Sequence, residues 1–81
     1  MPRFVRERFP DRKLDILRLY LRDPEFRTTC HDFGVCVEGI QRLSESTSKA
    51  DHERLEQYQE LKSELEVDII DCLNSAFTEP K

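Results

Sequence analysis

The clearest pattern in the chain is a row of apolar residues in its middle, spaced alternately by four and three positions: Phe26, Cys30, Phe33, Val37 and Ile40. At 100° per residue these side chains lie within about 40° of one line, as in an amphipathic helix. Asp23 suits the N-cap of such a helix and Pro24 its first turn. The pattern predicts a helix over residues 24–45.

A second apolar row follows the small polar cluster at residues 44–48 and keeps helical spacing to the end of the chain. Its members are Leu55, Tyr58, Leu61, Leu65, Ile69, Cys72 and Ala76. This row predicts the longest helix, over residues 49–77. Two long helices joined by a short polar turn are typical of an antiparallel hairpin.

The N-terminal third of the chain predicts a shorter helix over residues 11–22. Leu14, Leu17 and Leu21 share one helical face, and further apolar side chains spread around the rest of the helix. Such a helix needs cover on several sides, and we expect it to pack across the open end of the hairpin. The residue before a proline is pushed out of the α region, so Asp23 ends it.

The first ten residues predict an N-terminal arm. Phe4, Val5 and Phe9 stand among three arginines, and Pro2 and Pro10 limit regular structure. We expect this arm to dock on its own fold or on a neighbouring chain.

Composition supports one all-α domain over residues 1–81. Only two Gly and four Pro interrupt the chain and charged residues make up 37% of it, which suits long helices with solvated faces. A chain of 81 residues builds only a small core, and natural chains of this size often gain stability from a second copy. The fold prediction is therefore an all-α antiparallel helical hairpin with a shorter N-terminal helix, completing a bundle by oligomerisation.

The apolar surface of the last helix widens toward its C-terminal end. From Ile69 onward the apolar positions span an arc of about 180°, more than one neighbouring helix covers. Either the first helix or another subunit covers the remainder. The interaction candidates are Ile69, Ile70, Leu73 and Phe77 on this helix, with Phe4 and Phe9 on the arm.

Charge is divided unevenly along the chain. Residues 1–30 hold eight Arg and Lys against five Asp and Glu, a net +3, whereas residues 51–80 hold two against nine, a net −7. Five carboxylates opposite the apolar row of the last helix form an acidic ridge, most simply a solvated face: Glu53, Glu60, Glu64, Asp68 and Asp71. Arginine contacts with phosphate and Phe stacking on bases make nucleic-acid binding through the arm the second functional hypothesis. The total charge of −4 weighs against it.

The three cysteines are the remaining residues with candidate chemistry. Cys30 and Cys72 lie on apolar rows and are expected to be buried, whereas Cys36 lies about 80° off its row and is expected to be the most reactive. The chain has no CxxC motif, and a Cys–His nucleophile pair would need a nearby base and an oxyanion hole. We expect no metal, no cofactor and no enzyme activity. A thiol- or metal-dependent activity is the third functional hypothesis.

No apolar run approaches the roughly 20 residues of a membrane span, and the N-terminus lacks the apolar core of a signal peptide. An odd number of cysteines is typical of reduced thiols. We therefore expect a cytoplasmic location and no membrane contact. The function predicted from the sequence is a small helical protein-interaction or oligomerisation module, with a homo-oligomer or an unidentified protein as partner.

Overall fold

The computed structural model describes residues 3–77, which are all-helical and contain no strand. Four α-helices follow one another: α1 Arg3–Arg8, α2 Lys13–Arg22, α3 Pro24–Ser44 and α4 Lys49–Phe77. A 3-10 turn over Pro10–Arg12 joins α1 to α2. The molecule is elongated, with extents of 51 × 22 × 22 Å. The all-α prediction is confirmed.

The boundaries of the long helices follow the local signals in the sequence. The Asp23 carboxylate accepts hydrogen bonds from the backbone N–H groups of Glu25 at 2.9 Å and Phe26 at 3.3 Å, as an N-cap of α3 should. The Arg27 guanidinium donates to the carbonyls of Tyr20 and Leu21, which are left free where α2 ends. Hydrogen bonds therefore stabilise both the end of α2 and the start of α3.

Within the described residues the N-terminal arm is more regular than its prolines suggest, and of the two expected docking sites it uses its own fold. Residues 3–8 form α1, in which Val5 is fully buried. Phe4 and Phe9 are half-buried and pack against the core. Pro10 follows the helix and begins the 3-10 turn, so this proline bounds the helix without breaking it. Pro2 lies outside the described residues.

The core lies where α1, α2 and α3 meet the second half of α4. Its ten buried apolar side chains are Val5, Ile16, Leu19, Phe26, Cys30, Phe33, Cys36, Leu65, Ile69 and Leu73. The most extensive helix contact is between α3 and α4. Phe33 of α3 contacts Lys62 of α4. Gly39, further along α3, contacts Tyr58, which comes before Lys62 in α4. Both glycines of α3 mark close approach: a Cβ at Gly34 would lie 3.3 Å from the Phe4 ring, and one at Gly39 3.2 Å from the Tyr58 ring.

Candidate interaction surface

The six residues expected to form an interface lie mostly inside the chain's own fold. Ile69 and Leu73 have no exposed surface and pack in the core. Phe4, Phe9 and Phe77 are half-buried against that core. Ile70 is the most exposed of the six, with 39% of its surface accessible. Most of the residues predicted to form an interface therefore pack within a single chain.

The widened apolar arc of α4 faces the N-terminal elements of the same chain. One turn before Ile70, Glu66 accepts a hydrogen bond from Arg8 of α1 at 3.1 Å. One turn after it, Asn74 accepts one from Arg12 of the 3-10 turn at 2.7 Å. Ile70 therefore lies between two contacts with the N-terminal segment.

The end of α4 makes a further contact with α2. The Arg22 guanidinium lies 5.3 Å from the centre of the Phe77 ring, within the range of a cation–π interaction. Of the two ways in which the sequence allowed this arc to be covered, the structure shows cover by the N-terminal segment.

The two most exposed large apolar side chains in the described residues lie on α2. Leu14 is 68% exposed and Leu21 is 67% exposed, and Leu17 between them is half-buried. The three occupy successive turns and lie within about 60° of one another around the helix. We call Leu14, Leu17 and Leu21 the leucine face. It is an uncovered apolar row on a helix of ten residues.

The sequence predicts that α2 needs cover on several sides, whereas the described residues cover only one side of it. The buried side chains of α2 are Ile16 and Leu19, which lie roughly opposite the leucine face. Both sides of α2 are apolar, so burying either one would satisfy the hydrophobic effect. The side of α2 that is buried is the side on which α3 and α4 lie, and the leucine face therefore points outward.

Positive charge flanks the leucine face on both sides. Lys13 lies about 40° beyond one edge of the face, and Arg18 about 40° beyond the other. Both side chains are exposed and take part in no ion pair within residues 3–77. The neighbouring Arg12, by contrast, pairs with Asp15 at 3.5 Å. The two flanking cations are therefore available to an external anion.

Negative charge is concentrated on the outward side of α4. Four exposed carboxylates at helical spacing, which we call the acidic face, are Glu60, Glu64, Asp68 and Asp71. None of them forms an ion pair within the described part of the chain. Leu61, 42% exposed, and Val67, 57% exposed, lie on either side of this face. The acidic face therefore combines unpaired charge with flanking apolar surface.

The Cys72 thiol lies near carboxylates of both α4 and the α2–α3 junction. Burial raises the pKa of the Cys72 thiol, and the carboxylates of Asp23, Asp68, Asp71 and Glu25 raise it further. Its half-buried position differs from the expected burial. A thiol held neutral in this way is a poor nucleophile.

The expectation that Cys36 is the most accessible thiol is wrong. Cys36 is buried, because α4 approaches α3 on the side of Gly39 while α1 approaches on the side of Gly34. The buried arc of α3 is therefore wider than its apolar row. Burial, and then the charge of Asp32, raise the pKa of Cys36. Cys30 is buried as expected, and burial followed by interaction with Cys72 raises its pKa to about 12.

The structure also bears on binding to nucleic acid, to a metal ion and to a membrane. The rings of Phe4 and Phe9, which nucleic-acid binding through the arm would need for stacking on bases, pack against the core. Within residues 3–77 no group of three or more His, Cys, Asp or Glu side chains could hold a metal ion, and the three cysteines are unpaired. No helix in the described range is long and apolar enough to cross a membrane.

Comparison with known proteins gives no relative from which a function could be transferred. No family model, no curated protein sequence and no solved structure matches this chain. The functional interpretation therefore depends on the chain's own surface: the leucine face, its two flanking cations, and the acidic face.

Proposed function

We propose that this protein is a small helical interaction module without catalytic activity, and that it assembles as a homo-oligomer, most simply a two-fold dimer. The observation that carries the proposal is the leucine face. Single exposed apolar residues are ordinary on protein surfaces, but contiguous apolar surface rimmed by polar residues marks interaction sites. Leu14 and Leu21, each about two-thirds exposed, form such a surface with Leu17.

The energetic reason is the small core of the chain. Within residues 3–77 only ten apolar side chains are buried. Fully burying one leucine side chain contributes about 1.5–3 kcal/mol, so covering the leucine face would add substantially to such a core. In the proposed assembly α3 and α4 form an antiparallel hairpin, and α2 supplies the surface through which copies complete a bundle. The opposite order of the Phe33–Lys62 and Gly39–Tyr58 contacts supports that hairpin.

The proposal extends to a cytoplasmic location. Its support is the three cysteines, none of which is paired in the described residues. Cytoplasmic thiols are kept reduced, so unpaired cysteines suit that compartment.

The test is the mass of the protein in solution, measured by light scattering after size-exclusion chromatography. The natural chain should show at least twice its 9.7 kDa at micromolar concentration. Leu14→Asp/Leu21→Asp should reduce the mass to one chain and keep the far-ultraviolet helicity, because neither side chain belongs to the core.

Val35→Asp is the matched control, since Val35 is a single exposed valine on the outward side of α3. This variant should keep the oligomer. A natural chain that remains monomeric at these concentrations would contradict the proposed function.

A further inference from the structure

We propose that a cavity between α1 and the start of α2 binds a phosphate monoester. Its lining consists of Arg3, Arg6, Glu7 and Pro10 from the N-terminal segment and Lys13 from α2. We call it the basic cavity. Every lining residue belongs to one chain, so binding here goes beyond the proposed self-association and needs no second copy.

Arg6 provides the first observation. Its Nε is the one nitrogen or oxygen of a buried or half-buried side chain in the described residues that is shielded from solvent without a hydrogen-bond partner. Arg6 also forms no ion pair within residues 3–77. A donor removed from water without an acceptor costs free energy, so nearly all buried polar groups in folded proteins have a partner. The guanidinium charge is shared over three nitrogens, and an anion that contacts the terminal two from the cavity would compensate it.

The sequence around Arg6 explains why it lacks a partner within its own helix. No carboxylate stands three or four residues from it in either direction, the spacings at which side chains of one helix meet. Each of the other three arginines before α2 forms an ion pair: Arg3 with Glu7, Arg8 with Glu66 and Arg12 with Asp15. A counter-charge for Arg6 therefore has to come from outside its helix.

The charge of the lining selects the class of anion. Three cations, Arg3, Arg6 and Lys13, stand against the one carboxylate of Glu7, a net +2. Arg3 pairs with Glu7 at 3.1 Å, and Lys13 forms no ion pair within the described residues, so Arg6 and Lys13 are the two uncompensated charges. A phosphate monoester carries a charge of about −1.5 to −2 at neutral pH, whereas a carboxylate carries a single charge. The lining therefore matches the monoester.

The donors and the size of the cavity agree with that class. A guanidinium can donate two parallel hydrogen bonds to phosphate oxygens, and a lysine ammonium adds a point charge. The volume of about 370 Å³ lies within the range of about 300–1,000 Å³ typical of small-molecule sites. Pro10 gives the organic part of the ligand an uncharged surface to contact. The ester is either a free small molecule or a phosphorylated side chain of a peptide.

The test titrates the natural chain with phenyl phosphate at low ionic strength and follows it by two-dimensional NMR. Saturable binding should shift the backbone signals of residues 3–13 and the Nε–H signal of Arg6. Benzoate, which keeps the ring but carries a single charge, should bind about tenfold more weakly. No saturation at millimolar phenyl phosphate, shifts confined to α4, or equal affinity for benzoate would each overturn the inference.

A matched pair of substitutions locates the site. Lys13→Gln should weaken the binding of phenyl phosphate about tenfold, because a charge-assisted hydrogen bond is lost. Arg18→Gln is the control, since it removes an exposed, unpaired cation from the other side of the leucine face and should leave the affinity unchanged. Both side chains are exposed, so both variants should keep their helicity. Equal losses would show unspecific attraction to the basic end of the chain and overturn the inference.

A second titration distinguishes the sources of the ester. A short peptide with one phosphoserine should bind more tightly than phenyl phosphate if the natural ligand is a phosphorylated protein, and more weakly if it is a free small molecule. Failure of both probes overturns the inference. A natural chain that is monomeric and still binds phenyl phosphate would contradict the proposed function alone.

Discussion

The two halves of α4 differ in how completely the rest of the chain covers them. In the first half, Leu55 and Tyr58 are half-buried and Leu61 is exposed. In the second half, Leu65, Ile69 and Leu73 are buried. The hydrogen bonds from α1 and the 3-10 turn reach α4 at Glu66 and Asn74, both in this second half. The N-terminal segment thus covers the contact between α3 and the second half of α4, and the side chains in that contact become a buried core.

The comparison shows where a chain of this size obtains its stability. When two amphipathic helices pack together, each buries the centre of its apolar face, and the side chains at the edges of both faces stay in contact with water. A second layer of helices covers those edges, and the side chains beneath it lose their remaining contact with water. We therefore expect stability to be concentrated at the end of α4 that α1 and α2 cover.

The largest difference is expected between the same substitution in the two halves. Leu73→Ala should lower the free energy of unfolding by about 2–5 kcal/mol, because it opens a cavity among fully buried neighbours. Leu55→Ala should lower it by about 1 kcal/mol, since a half-buried side chain loses less contact and water can fill the space. Chemical denaturation at fixed protein concentration measures both. Equal losses would mean that the two halves are equally covered.

A smaller effect is expected from the polar link between α1 and α4. Glu66 accepts hydrogen bonds from Arg8 and Lys62, each at 3.1 Å. Glu66→Gln should therefore lower the free energy of unfolding by about 0.5–1 kcal/mol at neutral pH, a small loss because Arg8 is half exposed and solvent screens its charge.

The pH dependence of that variant has a definite sign. Burial raises the pKa of Glu66, but the hydrogen bonds and charges of Arg8 and Lys62 outweigh it, and the net pKa is below the ordinary 4.5. A lowered pKa in the folded chain gives stability that is present above 4.5 and is lost as the pH falls through the folded pKa. The difference between the natural chain and Glu66→Gln should therefore shrink as the pH falls from about 7 to about 3. A difference that stays constant over this range would show that the ion pairs contribute nothing.

The smallest effect is expected in thiol labelling, which uses the natural chain without any substitution. Cys72 is half-buried, whereas Cys30 and Cys36 are buried in the core. An alkylating reagent at neutral pH should modify Cys72 first, and slowly, because burial and the surrounding carboxylates raise its pKa. Peptide mapping by mass spectrometry over time measures the order. Modification of Cys36 first would mean that α3 opens away from α4.

The sequence by itself determined the features that depend on near neighbours along the chain. The Asp23–Pro24 pair placed the start of α3, and the polar cluster after Leu43 separated α3 from α4, because capping and helix-breaking act within a few residues. The regular rows of α3 and α4 likewise predicted the all-helical fold. The widening of the apolar arc beyond Ile69 indicated that more than one neighbour must cover it.

Tertiary structure alone decided which apolar surfaces are used. α2 has apolar side chains on opposite sides, and periodicity cannot tell whether Ile16 and Leu19 or the leucine face turns inward. The same holds for α1, where Val5 becomes a core residue because α3 provides a surface for it, and for Cys36, which is buried because α4 crosses its side of α3. In each case burial depends on contacts between residues far apart in the chain, which no pattern within one helix contains.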